Sequence, residues 1–262
     1  WGGFFFFIGD QILYESYRGF AQDNQQVPIN DTVALHVASI SKSITAMATM
    51  KLVEAGQLKL DDPLTKFFPK FPYPEVTVFT LLSQRSGLPK YEHFIEKIQP
   101  QPAELTKKYI TNQDVLNLLI RYQPELARPT NTGFMYCNTN YALLALIIEK
   151  ITKMPFPEAM QQIVFRPLKM KNTYILQEKD MERSAKSFYQ RGPRVYPYDR
   201  LDLIYGDKNV FTTPRDLLNF SKALFAENFL REDLKKMVFE PYSNEKPGVN
   251  NYGLGFRMKI FD

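Results

Sequence analysis

The chain has 262 residues, of which 44% are hydrophobic and 23% are charged, a balance typical of a folded domain rather than a disordered one. Its net charge of +5 comes from 33 basic and 28 acidic residues scattered along the chain. We therefore expect no nucleic acid partner, which would need a concentrated basic surface. The single Cys137 excludes an intrachain disulfide, and His36 and His93 lack neighbours at metal-ligand spacing, so we expect no metal site.

The first predicted elements are a hairpin and a helix. The segments from Gly3 to Ile8 and from Gln11 to Arg18 have the composition and alternation of strands, and Gly9-Asp10 between them predicts a turn. From Ser39 to Glu54 the apolar residues recur at helical spacing, and Gly56 follows where a helix commonly ends.

Further helices and a late strand follow. Helical spacing, helix-start residues or continuous apolar runs predict short or amphipathic helices at Thr77 to Gln84, Thr111 to Tyr122, Tyr141 to Thr152 and Pro214 to Ala226. The helix from Tyr141 is apolar on every side and is therefore predicted to be buried. A strand is predicted to begin at Asn251.

No transmembrane segment is expected, since no stretch reaches the roughly 18 apolar residues that indicate a membrane span. No signal peptide is recognisable at the start of the chain. Because the chain begins at Trp1 within a predicted strand, that absence carries little information about export.

The first candidate for chemistry is the segment Ser39-Ile-Ser-Lys42 at the start of the predicted helix. Side chains three residues apart on a helix lie on one face, so the Lys42 amine can reach the Ser39 hydroxyl. A serine becomes a good nucleophile when a neighbouring base removes its proton, and the helix N-terminus favours developing negative charge. A chain of this length contains about one such match by chance, so the pattern alone also fits a solvated helix start.

The second candidate is Tyr136-Cys-Asn138, just before the apolar helix. A phenol near a cation can move a proton, and an asparagine amide can hold a substrate carbonyl or orient the lysine. The tripeptide gains meaning only in combination with Ser39 and Lys42.

Seven segments, in the same order along the chain, resemble the β-lactamase-related serine hydrolases, especially the branch of class C β-lactamases, D-alanyl-D-alanine carboxypeptidases and esterases. They begin at Ala38, Leu52, Leu81, Phe134, Pro167, Gly206 and Tyr252. The segment from Ala38 resembles the nucleophile helix, and Tyr136-Cys-Asn138 resembles the Tyr-x-Asn motif of the family. The resemblance covers residues 1 to about 256.

The resemblance implies an α+β fold of the β-lactamase/transpeptidase-like type. An antiparallel sheet flanked by helices would be formed by residues 1–58 and 205–262, and residues 59–204 would form a mostly helical subdomain. It also implies a periplasmic or cell-envelope location.

The resemblance further implies an acyl-enzyme mechanism without a cofactor. Ser39 would be the nucleophile, Lys42 and Tyr136 would share the proton transfers, and Asn138 would bind the substrate. The substrate would be a small molecule or peptide such as a β-lactam, a D-Ala-type peptide or an ester. The oligomeric state stays open.

The chain departs from the family pattern at two places. Gln84 stands where the family usually has histidine, in a segment expected to be structural. The third motif, Lys-Thr-Gly or His-x-Gly, does not occur, and Asn131-Thr-Gly133 is interpreted as a turn. We therefore expect the C-terminal strands to be missing, leaving an apolar sheet edge and face exposed, with the sequence a part of a longer protein or its missing strands supplied by another chain.

Two alternative functions were weighed against the sequence. A non-catalytic protein of the same fold could bind penicillin or peptidoglycan, or act as a sensor. An unrelated hydrolase with a Ser-His-Asp triad is disfavoured, because the chain has no Gly-x-Ser-x-Gly segment.

Overall fold

The structure, a computed structural model of the chain, describes residues 2–9, 11–22, 26–189, 194–226, 229–246 and 248–261. Its helices, in chain order, are α1 Ile40–Glu54, α2 Val78–Leu82, α3 Tyr91–Lys97, α4 Asn112–Tyr122, α5 Asn138–Thr152, α6 Phe156–Met160, α7 Pro214–Phe225 and α8 Glu232–Val238. Short 3-10 turns lie at Leu64–Lys66, Ala103–Thr106 and Glu178–Asp180, and a π-helical segment, Gln161–Phe165, continues α6.

The strands of the described residues form three small antiparallel sheets. The strands, in chain order, are β1 Gly2–Ile8, β2 Gln11–Arg18, β3 Leu35–His36, β4 Tyr174–Ile175, β5 Val210–Thr212, β6 Asn250–Tyr252 and β7 Arg257–Lys259. The first sheet is the hairpin β1–β2, the second has the order β3-β5-β4, and the third is the pair β6–β7. The α+β class is confirmed, but the single sheet expected from the sequence is divided among these three.

Helix α5 is the centre of the core. Its residues from Tyr141 to Ile148 are at most 5% exposed, which explains why the helix is apolar on all sides. It packs against α1, α2, α4 and α6, and α1 also contacts the π-helical segment. Helix α1 is thereby held on one side by α5, and its first turn carries Ser39 and Lys42.

Several sequence predictions are confirmed within a few residues. The hairpin, α1, α2, α4, α5 and α7 all occur, and the positive φ of +55° at Gly9 agrees with the predicted turn, although Asp10 lies outside the described residues. The segment Asn131-Thr-Gly133, interpreted as a turn, begins with Asn131 in a turn at a φ of +61° and continues as a bend. The helices α3, α6 and α8, which are five to seven residues long, were not predicted, whereas the equally short α2 was.

Among the described residues, no helix is both long and apolar enough to cross a membrane. The division into residues 1–58 with 205–262 and residues 59–204 stays a prediction.

Candidate active site

Ser39 lies at the N-cap of α1, immediately after a strained residue. Ala38 has a φ of +45°, a conformation that an L-residue with a Cβ rarely adopts. The Ser39 side chain makes no capping hydrogen bond and is exposed, so its hydroxyl is free to face other groups. Its backbone N–H forms no hydrogen bond within the described part of the chain and lies at a helix N-terminus, where negative charge is favoured.

Lys42 is buried directly beneath Ser39. The residue is only 2% exposed, and its Nζ lies 3.2 Å from Ser39 Oγ. Nζ also donates to the backbone carbonyl of Asp207 at 2.8 Å. The amine is therefore held within hydrogen-bond distance of the candidate nucleophile, and it lies 4.9 Å from the centre of the Tyr136 ring.

Tyr136 is the second residue whose side chain contacts Ser39 Oγ. Its hydroxyl donates to Ser39 Oγ at 2.9 Å, so Oγ lies between the phenol and the Lys42 amine. The face of its ring is 4.7 Å from the guanidinium of Arg257 on β7. Positive charge therefore lies close to the ring from two different elements.

The loop that carries Tyr136 is anchored by Gln84. The Gln84 Oε1 accepts hydrogen bonds from the Cys137 backbone N–H at 2.9 Å and from Asn140 Nδ2 at 2.8 Å. The Gln84 backbone carbonyl accepts a third from Met135 N at 2.8 Å. The residue at this departure from the family pattern thus fixes the position of Tyr136 in space.

Asn138 takes a different set of partners from Ser39, Lys42 and Tyr136. Its Nδ2 donates to the carboxylate of Glu92 on α3, and its Oδ1 is buried with no hydrogen-bond partner among the described residues. In the part of the chain that the structure describes, no hydrogen bond joins Asn138 to Ser39 or Lys42. The structure therefore brings three of the four predicted site residues into direct contact and places the fourth against Glu92.

Three further polar residues near the site were not predicted from the sequence. They are Tyr91 and Glu92 on α3 and Asp207 in the segment before β5. The Tyr91 hydroxyl donates to Asp207 Oδ2 at 2.8 Å, although the two residues are 116 positions apart. The only sequence signal is that Asp207 lies within one of the resembling segments; nothing there pointed to Tyr91.

A cavity of about 810 Å³ is lined by Arg257, whose guanidinium contacts the Tyr136 ring. Its walls also include the aromatic residues Phe134 and Tyr252, the cationic residues Arg128 and Lys246, and Glu245. Glu245 pairs with Arg85, whereas Arg257 forms no ion pair among the described residues. The cavity thus combines an aromatic wall with cationic side chains, and Arg257 connects it to Tyr136.

No group of three or more His, Cys, Asp or Glu residues within the described ranges is arranged to hold a metal ion. Burial raises the pKa of the Cys137 thiol to about 11, which disfavours the thiolate form that acts as a nucleophile.

Comparison with known proteins adds family and structural relationships to this geometry. The Beta-lactamase family matches residues 4–260. Penicillin-binding protein 4* of Bacillus subtilis (strain 168) is 29% identical over 270 residues, which cover 96% of this chain and 58% of that protein. The chain therefore spans less than two thirds of the length of this curated relative.

Solved structures agree with the arrangement of the elements. A penicillin binding protein from Bacillus halodurans has a TM-score of 0.84 at 26% identity and covers 100% of this chain, which in turn covers 81% of that one. The D-amino acid amidase from Ochrobactrum anthropi SV3, complexed with L-phenylalanine amide, has a TM-score of 0.76 at 25% identity, covering 98% of this chain and 74% of its own.

Proposed function

Because the chain belongs to the Beta-lactamase family, we propose that it is a serine hydrolase that forms an acyl-enzyme on Ser39. The observation that carries this proposal is the position of Ser39 Oγ, which lies 3.2 Å from the Lys42 amine and 2.9 Å from the Tyr136 hydroxyl. A serine between an amine and a phenol can lose its proton to the amine, directly or through the phenol hydroxyl, as it attacks a carbonyl carbon.

The proposed reaction has two halves. In the first, Ser39 Oγ bonds to the substrate carbonyl carbon while its proton passes to the Lys42 amine, directly or through the Tyr136 hydroxyl. The bond from that carbon to the leaving nitrogen or oxygen then breaks, and the same pair returns the proton to the leaving atom. The Ser39 backbone N–H supplies one hydrogen bond to the developing oxyanion. In the second half a water molecule attacks the Ser39 ester, which releases the carboxylic acid and restores the serine.

Asn138 is proposed as the residue that binds the substrate amide. Its Nδ2 donates to Glu92 in the present structure, so a substrate carbonyl would take the place of that carboxylate. Because Asn138 is two residues from Tyr136, the same loop would orient both the substrate and a proton-transfer group.

The charge of the cavity supports a narrower substrate class. Arg128, Lys246 and Arg257 line the cavity, and Arg257 also contacts the Tyr136 ring. A guanidinium is well suited to bind a carboxylate. Penicillins and D-Ala-terminated peptides carry a carboxylate, whereas simple esters and amino acid amides do not. We therefore favour carboxylate-bearing acyl donors over neutral ones, and a cell-envelope location follows as part of this proposal.

The alternative is a penicillin- or peptidoglycan-binding protein, or a sensor, that is acylated without turnover. Relatives named as penicillin-binding proteins are compatible with it. Both functions require acylation of Ser39, and they differ in whether water releases the acyl group.

The test uses the full-length protein with a fluorescent penicillin and a neutral activated ester, and locates the adduct by mass spectrometry. Labelling of Ser39 is expected, and Ser39→Ala or Lys42→Ala should slow acylation by about 10³-fold or more, as for other residues of a catalytic unit. The matched control is Ser43→Ala, one turn further along α1, where the hydroxyl donates to the Gly255 carbonyl instead.

Each arm of this experiment has a result that contradicts part of the proposal. Persistent labelling of the Ser39→Ala protein would show that another residue is the nucleophile. Arg257→Gln should slow acylation by penicillin about tenfold, the weight of one charge-assisted hydrogen bond, and leave the ester reaction nearly unchanged. Equal effects on both would exclude Arg257 from carboxylate binding, and an adduct that is never released would identify the sensor.

A further inference from the structure

The segment before β5 is fastened to the face of α1 that carries Lys42. Thr45 Oγ1 donates to the Gly206 carbonyl and Lys42 Nζ to the Asp207 carbonyl, both at 2.8 Å. Val210 N donates back to Ser41 Oγ at 3.1 Å. These three bonds fix the Asp207 carbonyl, and with it the end of the Lys42 side chain.

The side chain of Asp207 extends away from these bonds into the protein interior. The residue is 0% exposed, and its Oδ2 accepts a hydrogen bond from the equally buried Tyr91 hydroxyl at 2.8 Å. Its Oδ1 is buried without a hydrogen-bond partner among the described residues. A carboxylate normally accepts several hydrogen bonds, so one with a single donor depends on nearby positive charge.

The charged groups around Asp207 come from three elements. Desolvation raises the pKa of the Asp207 carboxyl, and the negative charge of Glu92 on α3 acts in the same direction. The charges of Lys42 and Lys208 and the Tyr91 hydrogen bond act against this rise. Asp202 adds to the negative charge that Tyr91 experiences. The charge of Lys42 is therefore the largest favourable influence on the ionised form of Asp207.

We propose that Asp207, held by Tyr91, is a positioning residue that fixes the Lys42 amine beneath Ser39. This inference rests on the proposed function, in which Lys42 takes part in proton transfer. Asp207 itself touches neither the substrate nor Ser39, and it acts only through Lys42.

The first test is a double-mutant cycle that needs no activity. Lys42→Met should lower the urea midpoint of the full-length protein more in the wild type than in the Asp207→Asn background, since only the wild type is left with an uncompensated buried carboxylate. Additive midpoint shifts would show that the two side chains are not coupled and would overturn the proposal, even if the protein has no acylation activity at all.

The second test separates substrate binding from the chemical step of Ser39 acylation. Asp207→Asn should lower the maximal acylation rate by about tenfold and leave the penicillin concentration for half-maximal rate nearly unchanged, because the amine is misplaced while the substrate contacts remain. Tyr91→Phe removes the hydrogen bond to the carboxylate without removing the carboxylate and should give the same pattern with a smaller loss. This variant removes one hydroxyl only, and it carries the test if Asp207→Asn fails to fold.

Asp216→Asn is the matched control. Asp216 is also buried, at 4% exposed, and accepts hydrogen bonds from Asn172 N at 2.8 Å and Thr173 Oγ1 at 2.7 Å, away from Lys42. It should lower stability without lowering the maximal acylation rate. A maximal rate that is unchanged in both Asp207→Asn and Tyr91→Phe would overturn the proposal, whereas a wild-type protein that is never acylated would contradict the proposed function and leave the cycle to decide on Asp207.

Discussion

The hairpin β1–β2 and the helix α5 are both rich in apolar residues, and they bury those residues to opposite extents. In the hairpin Phe4, Ile8 and Tyr14 are 61%, 65% and 51% exposed, whereas in α5 no residue from Tyr141 to Ile148 exceeds 5%. Apolar content alone therefore does not mark the core. What separates the regions is the packing around each, since among the described residues four helices pack against α5, whereas β1 packs mainly against its partner strand β2 and against α7.

This difference decides which region positions the candidate site. Ser39 and Lys42 lie on α1, Tyr136 directly precedes α5, and α1 and α5 pack against each other. Within the described residues, none of these three side chains forms a hydrogen bond with the hairpin. Changes in the helical core should therefore affect both folding and the site, and changes in the hairpin should affect stability only slightly.

The largest expected contrast is between two glycines with positive φ. Gly206, at +93°, lies against α5, where an added Cβ would be 2.3 Å from the Tyr141 carbonyl oxygen; Gly9, at +55°, has nothing within 4 Å of such an atom. Gly206→Ala should cost roughly 4 kcal/mol or more of unfolding free energy, because clash adds to strain. Gly9→Ala should cost only the strain of about 1–2 kcal/mol.

Urea denaturation followed by circular dichroism measures both glycine variants in the same buffer. If Gly9→Ala were as damaging as Gly206→Ala, the hairpin would have to be as tightly packed as the core, and the comparison between the two regions would be broken.

The sequence predicted best the elements whose residues carry a periodic signal. The start of α5 lies at Asn138, three residues before the predicted Tyr141, because Asn138-Thr-Asn140 is polar and has no apolar spacing to mark it. Helix α3 was missed for a related reason: only Tyr91, Phe94 and Ile95 are buried in a seven-residue helix, and that pattern is too short to distinguish from a loop.

The residues of the candidate site also differ in whether the sequence could predict them. Ser39, Lys42 and Tyr136 could be proposed because two short motifs and their family context name them. Tyr91 and Asp207 could not, since their hydrogen bond joins residues 116 positions apart and depends on how α3 packs beside the segment before β5. Local sequence patterns carry no information about a contact between residues so far apart in the chain. The buried Asp207 carboxylate could therefore be recognised only in the structure.

A middle-sized effect is expected at the start of α4, which packs on α5. Burial by itself raises the pKa of the Asp114 carboxyl, but hydrogen bonds from Lys107 and from Thr111 hold it below its ordinary value. Asp114 forms the capping box with Thr111, so Asp114→Asn should cost about 1–2 kcal/mol at neutral pH.

The pH dependence of the Asp114→Asn effect has a definite sign. Because the folded protein lowers the pKa of this carboxyl, its stabilisation is present above the ordinary value near 4 and is lost as the pH falls through the lower folded value. The difference in unfolding free energy between wild type and variant should shrink over that acidic interval. A difference that stays constant would mean that the charge of Asp114 is unimportant to the cap.

The smallest effect is expected where the hairpin meets α7. Glu15 on β2 accepts two hydrogen bonds from Arg215, at 2.8 and 2.7 Å, and these bonds lower the pKa of its carboxyl. Arg215 is 49% exposed, so solvent screens the pair. Glu15→Gln should therefore cost less than about 1 kcal/mol, although the geometry is bidentate.

Salt distinguishes this surface pair from the cap on α4. Raising the salt concentration to about 1 M should remove most of the Glu15→Gln effect, since the screening length falls to about 3 Å, and should leave more of the Asp114→Asn effect, whose carboxylate is shielded by protein. Thermal unfolding of both variants at low and high salt measures the contrast. If Glu15→Gln cost as much as Asp114→Asn and resisted salt, the ion pair would be an integral part of the core, and the hairpin could no longer be treated as a lightly attached region.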